Sequence, residues 1–273
     1  MARVQRPDGV ELDLRERGDG PLVMLLPYWS GHPGVFEAFL SDLERDHRVV
    51  TWDARGTGES TRVGPYDVDT DCADLEAALE AVGGAVALVA VANGCNPAVH
   101  VAARRPDLVG AVAAFGVGPF ARAQLAGSEG MIGSDSVVDA FLEMLQRDYR
   151  GALRTIVAAT NPQMSDEEIR ERVDFQTSYC SQDAAMARVR EWAEDDPTPS
   201  AAVVGDRLWI FSAPDVAGAW LPSLEERRRI IEKAMPRAHV QDMGEDAGPQ
   251  SRPEVVAAAL RQVTESLRLE SGR

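Results

Sequence analysis

The sequence predicts an α/β domain: a mostly parallel central sheet with helices on both faces, interrupted by a helical insertion. Three observations predict it. Short apolar runs recur along the chain, of the kind that suits strands buried on both faces. They alternate with amphipathic helical stretches, which calls for right-handed crossovers and parallel strands. The alternation stops after Pro119 and resumes near Arg207. The domain reading is therefore a core of residues 1–119 and 199–273, with residues 120–198 as a helical cap.

The elements follow in order. Val4, the turn signal Pro7-Asp8-Gly9, and Val10, Leu12 and Leu14 at period two read as a β-hairpin. PLVMLLP (21–27) is a buried strand, and VFEAFLSDLER (35–45) places Phe36, Phe39, Leu40 and Leu43 on one helical face. HRVVTWD (47–53) is a second strand. Residues 67–84 start acidic, carry Leu75, Leu79 and Val82 as a stripe, and stop at Gly83-Gly84, which reads as a helix. AVALVAV (85–91) and VGAVAAFG (109–116) are strands, with a helix over 96–108 between them. Asn96-Pro97 forms a good cap and first-position pair, so that helix is expected to start near 97 and to leave 92–96 as a looser loop. Ser165 to Glu168 is a capping box, residues 183–196 form another helix, and DDPTPS (195–200) reads as a linker. Strand 207–213, helix 221–235, strand 238–243 and helix 253–267 complete the pattern.

Composition narrows the function. The chain has 273 residues and a net charge of −16. A nucleic-acid partner needs a basic surface, and an anionic membrane is an equally poor partner, so neither is expected. Cys72, Cys95 and Cys180 are scattered, odd in number and without zinc spacing. A disulfide framework is not expected and a cytoplasmic location fits. No signal peptide or transmembrane run is legible. No metal and no cofactor are expected; the expected partner is a modified peptide or other small-molecule substrate. Oligomeric state is not legible.

The order of elements resembles the α/β-hydrolase superfamily. WDARGTGES (52–60) resembles its strand-four turn, LVAVANGCNPAVHVAARRPDLV (88–109) its nucleophile elbow and following helix, and LWIFSAPD (208–215) the strand that carries its acid. The resemblance implies the α/β-hydrolase fold, with a helical cap insertion. It also implies a Ser, Cys or Asp lifted on a G-x-S-x-G turn, served by a His, an acid and backbone amides. Here Ala90-Val91-Ala92-Asn93-Gly94 takes that place, and Pro106 stands fourteen residues beyond Ala92, as the family usually spaces it. A methyl group has no lone pair, so covalent acyl transfer from position 92 is chemically impossible. Asp215 stands where the family keeps its acid. The loop where it keeps its His, residues 243–254, contains none; Glu245 or Asp246 stands there. Two of three triad members are missing. Helix-starting Pro97 also puts the oxyanion role of the Asn93 amide in doubt.

The loop after the first buried strand reads Pro27-Tyr28-Trp29-Ser30-Gly31-His32. Tyr28, Trp29, Ser30, His32, Ala92, Asn93 and Trp220 are the residues expected to meet a ligand. Each has a plainer alternative. His32 is a general acid/base group or a loop histidine. Cys95 is a displaced nucleophile or a small packed residue. Asp215 is a relic or a pocket carboxylate, and Asp246 beside Glu245 is a paired-carboxylate site or a solvated loop. Trp220 faces the pocket or the core. His100, His47 and His239 carry no catalytic signal.

Three functions are consistent with this pattern. The first is a non-hydrolytic enzyme, an isomerase, epimerase or cyclase, in which a substrate carboxylate moves the proton and the pocket supplies shape and desolvation. The chain resembles in this respect the hydrolase-fold peptide epimerases of bottromycin-type biosynthesis, which invert an aspartate next to a thiazoline. The second is an atypical hydrolase or lyase using non-triad groups. The third is a catalytically silent small-molecule-binding protein.

Overall fold

The computed structural model describes residues 2–116, 118–119, 134–212, 222–244 and 248–271. Eight strands form one sheet: β1 (Ala2–Gln5), β2 (Glu11–Arg17), β3 (Leu22–Leu26), β4 (Arg48–Asp53), β5 (Ala85–Val91), β6 (Val109–Phe115), β7 (Leu208–Ser212) and β8 (His239–Asp242). Their spatial order is β1-β2-β4-β3-β5-β6-β7-β8. β2 pairs antiparallel with β1 and with β4, and every other pairing is parallel. The sheet is thus an α/β-hydrolase sheet, as the sequence predicts.

Ten helices are present among the described residues. Six precede residue 180: α1 (Glu37–Leu43), α2 (Val68–Val82), α3 (Cys95–Arg104), α4 (Asp135–Arg147), α5 (Tyr149–Thr160) and α6 (Asp166–Tyr179). Four follow: α7 (Gln182–Glu194), α8 (Thr198–Val204), α9 (Leu224–Ala234) and α10 (Pro253–Ser271). None is long and apolar enough to cross a membrane.

The side-chain alternation of the central strands explains two cores. Leu88, Ala90, Val112 and Ala114 face α2, α3, α8 and α9. Ala87, Val89, Ala113 and Phe115 face α1 and α10. Burying a side chain such as Leu25 or Leu88 contributes about 1.5–3 kcal/mol each. Helix ends follow local chemistry. The Asp67 carboxylate accepts from the Thr70 amide at 2.7 Å to start α2, and Gly83 ends it at φ 88°. Ser165 and Glu168 close the capping box of α6.

Three local expectations are corrected. The helix expected over 35–45 begins as a 3-10 turn over Pro33–Phe36, since Pro33 fixes its first φ and His32 caps it. The helix expected to start near 97 starts at Cys95. The expected linker 195–200 is a packed junction: the Asp195 carboxylate accepts from Asn96 Nδ2 at 2.8 Å and pairs with His100, and α8 begins at Thr198.

Candidate active site

β5 ends at Val91 and the chain turns sharply. Ala92 has φ +50°, the left-handed region, where a Cβ costs roughly 1–2 kcal/mol. Residues Ala92–Gly94 form a 3-10 turn that runs straight into α3. Pro97 sits in the first turn of α3, where backbone amides have no intrahelical partner, so it removes no helix bond. The loop is therefore tight, not loose. Gly94 is needed there: a Cβ would sit 2.8 Å from the Pro27 carbonyl oxygen. The turn lifts residue 92 on a strand-to-helix corner, and residue 92 is a methyl.

The neighbouring backbone donor is occupied. The Trp29 amide, in the loop after β3, donates to Asn93 Oδ1 at 2.7 Å. In an acyl-transfer site, an amide from this loop and the amide after the nucleophile would bind the oxyanion. Here a side-chain carbonyl takes the loop's donor instead. The same loop is bolted to the helices above it. Gln176 Nε2 donates to the Tyr28 hydroxyl at 2.9 Å, and the Cys180 thiol to the Trp29 carbonyl at 3.5 Å. The Trp29 ring packs against the three apolar clusters of α4–α7.

A cavity of about 60 Å³ lies beside the elbow, between the ends of β3 and β4, the start of α3, and α7. Tyr28, Trp29 and Asn93 line it as expected residues, joined by Trp52, Tyr179 and Trp192. Ser30, His32 and Ala92 are not part of its wall. Ser30 is buried, with no hydrogen-bond partner for its hydroxyl among the described residues. His32 Nδ1 accepts from the Gly34 amide at 2.8 Å, and its ring meets the edges of Phe175 and Tyr179. Desolvation lowers its pKa, so the neutral ring carries its proton on Nε2 and its basic nitrogen is spent on the cap. Asp215, Trp220, Glu245 and Asp246 lie outside the described residues.

Cys95 is fully buried and its thiol points at the Ala90 carbonyl at 3.5 Å; burial pushes its pKa up to about 12, which removes it as a nucleophile. His47 is buried between Asp46 and Thr264. His100 contacts Ser200 Oγ at 2.8 Å and Asp195, and His239 stacks on Trp209 with ring centroids 4.1 Å apart.

The wall contains charges the sequence reading passed over. Arg188, on α7, holds Asp71 through Nε at 2.9 Å and Nη2 at 3.0 Å, and donates from Nη2 to the Arg55 carbonyl at 2.7 Å. Burial opposes its charge and Asp71 more than offsets that, so the guanidinium stays protonated. Below lies Asp53, which accepts from Arg15 Nη2 and the Tyr179 hydroxyl, both at 2.8 Å, and from the Glu59 amide at 2.9 Å. Burial and the Asp53 charge raise the Tyr179 pKa well above its ordinary value. The signal for Arg188 was present: Arg188 and Trp192 are four apart and share one helix face.

Comparison with known proteins agrees with the strand order. A family model described as alpha/beta hydrolase fold matches residues 21–197. The polyketide synthase ThaQ of Burkholderia thailandensis is 34% identical over 105 residues, 38% of this chain and 5% of that protein. The chain thus spans a small part of that relative. The 2-(acetamidomethylene)succinate hydrolase of Mesorhizobium japonicum is 25% identical over 200 residues, covering 70% of this chain and 69% of that one. The crystal structure of a bromoperoxidase from Bacillus anthracis superposes with a TM-score of 0.76 at 19% identity, over 100% of this chain and 99% of that chain. With its strand order, its elbow and a family match over more than half its length, this chain belongs to the α/β-hydrolase fold family.

Proposed function

We propose that this chain is an atypical enzyme of the hydrolase fold, one that transforms an acyl compound beside the elbow without joining it covalently. Ala92 at the left-handed apex carries the reading, because no atom there can attack a carbonyl. The occupied Trp29 amide supports it, since the usual oxyanion donor is already paired. The reaction class is hydrolysis or elimination by groups other than a Ser–His pair, with α4–α7 acting as a cap over the substrate. The matched hydrolase and polyketide synthase support a small acylated compound of specialised metabolism as the substrate class.

A second reading is epimerisation of an aspartate next to a thiazoline in a modified ribosomal peptide. None of the relatives described above is an epimerase. The missing base favours it nonetheless, since a carboxylate in the substrate would then move the proton and the pocket would supply desolvation.

The test is incubation with 2-(acetamidomethylene)succinate, simple activated esters and a thiazoline-containing peptide, in water and in deuterium oxide, followed by intact-protein and product mass. Product release with unmodified protein mass is the expected outcome. A one-dalton gain at the peptide α-carbon with no cleavage moves the assignment to the second reading. An acylated protein, or stoichiometric binding with no product from any substrate, overturns the proposal.

A further inference from the structure

The cavity beside the elbow is walled largely by aromatic rings: Trp29, Trp52, Tyr179 and Trp192 line it. Trp192 stands out among them. It is half-buried, and it belongs to none of the apolar clusters among the described residues. Core packing therefore does not account for its place in the wall. Three charged side chains share that wall: Asp71, Arg188 and Glu191. Asp71 and Arg188 answer one another, through Nε at 2.9 Å and Nη2 at 3.0 Å. Glu191 has no such partner. Its carboxylate accepts from the Val68 amide at 3.4 Å, and no ion pair reaches it among the described residues. The wall thus carries one carboxylate in excess.

Aromatic walls with one unanswered carboxylate select among ligand chemistries. An anion is repelled by Glu191. A neutral apolar group leaves the Glu191 charge unmatched. A bare ammonium brings three N–H donors that each need an acceptor, and Glu191 is the one carboxylate of the wall not already spent. An ammonium whose hydrogens are replaced by methyls needs no such acceptors. Its charge complements Glu191 and its methyls suit the rings, which attract positive charge at their faces where an aliphatic wall would not. The net charge of −16 adds a general pull on cations.

We infer that this cavity is a binding site for a methylated ammonium group. Its volume is about 60 Å³. That holds roughly four or five atoms of water size, which is a trimethylammonium head and little else. The inference goes beyond the reaction proposed above and does not need it, since such a site serves a substrate's charged handle and the ligand of a silent binding protein alike.

The experiment is titration of the intact chain with three probes at constant ionic strength: choline, 3,3-dimethylbutan-1-ol, which has the same shape without the charge, and ethanolamine, which has the charge without the methyls. Tryptophan emission and ligand-observed NMR of the probes are the readouts. Choline is expected to bind about tenfold tighter than either of the others. Trp192→Leu is expected to weaken choline about tenfold. Glu191→Gln keeps an acceptor for the Val68 amide; it is expected to weaken choline about threefold or more and to leave the neutral alcohol unchanged. If a variant does not fold, the three probes on the unaltered chain still decide. The alcohol binding as well as choline, ethanolamine binding as well as choline, no binding by choline, or choline binding indifferent to both substitutions would overturn the inference. An acyl adduct on the elbow would overturn the proposed function and leave this ranking of probes intact.

Discussion

The strand-four turn and the elbow lie at the carboxyl ends of β4 and β5, on either side of β3, and they are built in opposite ways. In the turn over 52–60, both buried charges are answered. Asp53 has Arg15, Tyr179 and the Glu59 amide; Arg55 has Asp74 and Asp8. Gly58 is there because a Cβ would collide with the Asp53 carboxylate. In the elbow, no titratable side chain is present at the apex, and the one prominent polar contact is internal, between Asn93 and Trp29. The first region uses charge to hold position. The second keeps a strained shape with nothing reactive on it. Shape and chemistry are thus separable at neighbouring strand ends of one sheet, and substitutions should separate them further.

The largest effect belongs to the charged turn. Arg55 is 1% exposed and Asp74 is fully buried, so Arg55→Ala leaves Asp74 with Arg6 alone. A loss of about 3–5 kcal/mol in denaturant unfolding is expected, as for other buried pairs deprived of one partner. A loss below 1 kcal/mol would place Arg55 with surface pairs and erase the contrast. Tyr179→Phe comes next. It removes one donor from the buried Asp53 carboxylate, for about 1–3 kcal/mol, read by the same unfolding curve.

A pH effect comes third. Desolvation lowers the folded pKa of His32 below its unfolded value near 6.5. The unfolded chain therefore takes up the proton first, so stability is complete above that value and falls as pH drops below it. His32→Asn keeps an acceptor for the Gly34 amide and removes the titration. The fall in denaturation midpoint between pH 7 and 5.5 should be smaller in the variant; an equal fall in both would assign the slope to other groups.

The smallest effect belongs to the elbow. Ala92→Gly relieves the left-handed strain of about 1–2 kcal/mol, against the extra freedom glycine gives the unfolded chain. A net gain of up to about 1 kcal/mol in unfolding free energy is expected. A clear loss would mean that the Ala92 methyl packs against something that needs it.

Much of this fold was legible because its signals are local. Apolar runs such as 85–91 are buried on both faces and match β5 at both ends. The elbow was legible through its motif and the spacing to Pro106. Its tightness was not, because Asn96-Pro97 also suits a helix start, and only the packing of Gly94 against Pro27 shows which start is used. The segment 195–200 is polar and reads as solvated, while Asp195 is in fact tied to Asn96, a residue ninety-nine positions away. Arg188 and Asp71 are 117 positions apart, and no pattern along one helix reveals such a pairing. The cavity itself was half legible: Tyr28, Trp29 and Asn93 belong to loops flagged by motif, whereas Arg188, Asn96 and Trp192 meet them through tertiary packing.

Three of the five tryptophans face one small space. Indole emission follows the polarity of its surroundings, so the protein carries a fluorescent gauge of that space. Filling or emptying it should shift the emission maximum without any attached dye, while Trp209, stacked on His239, answers to that imidazole instead.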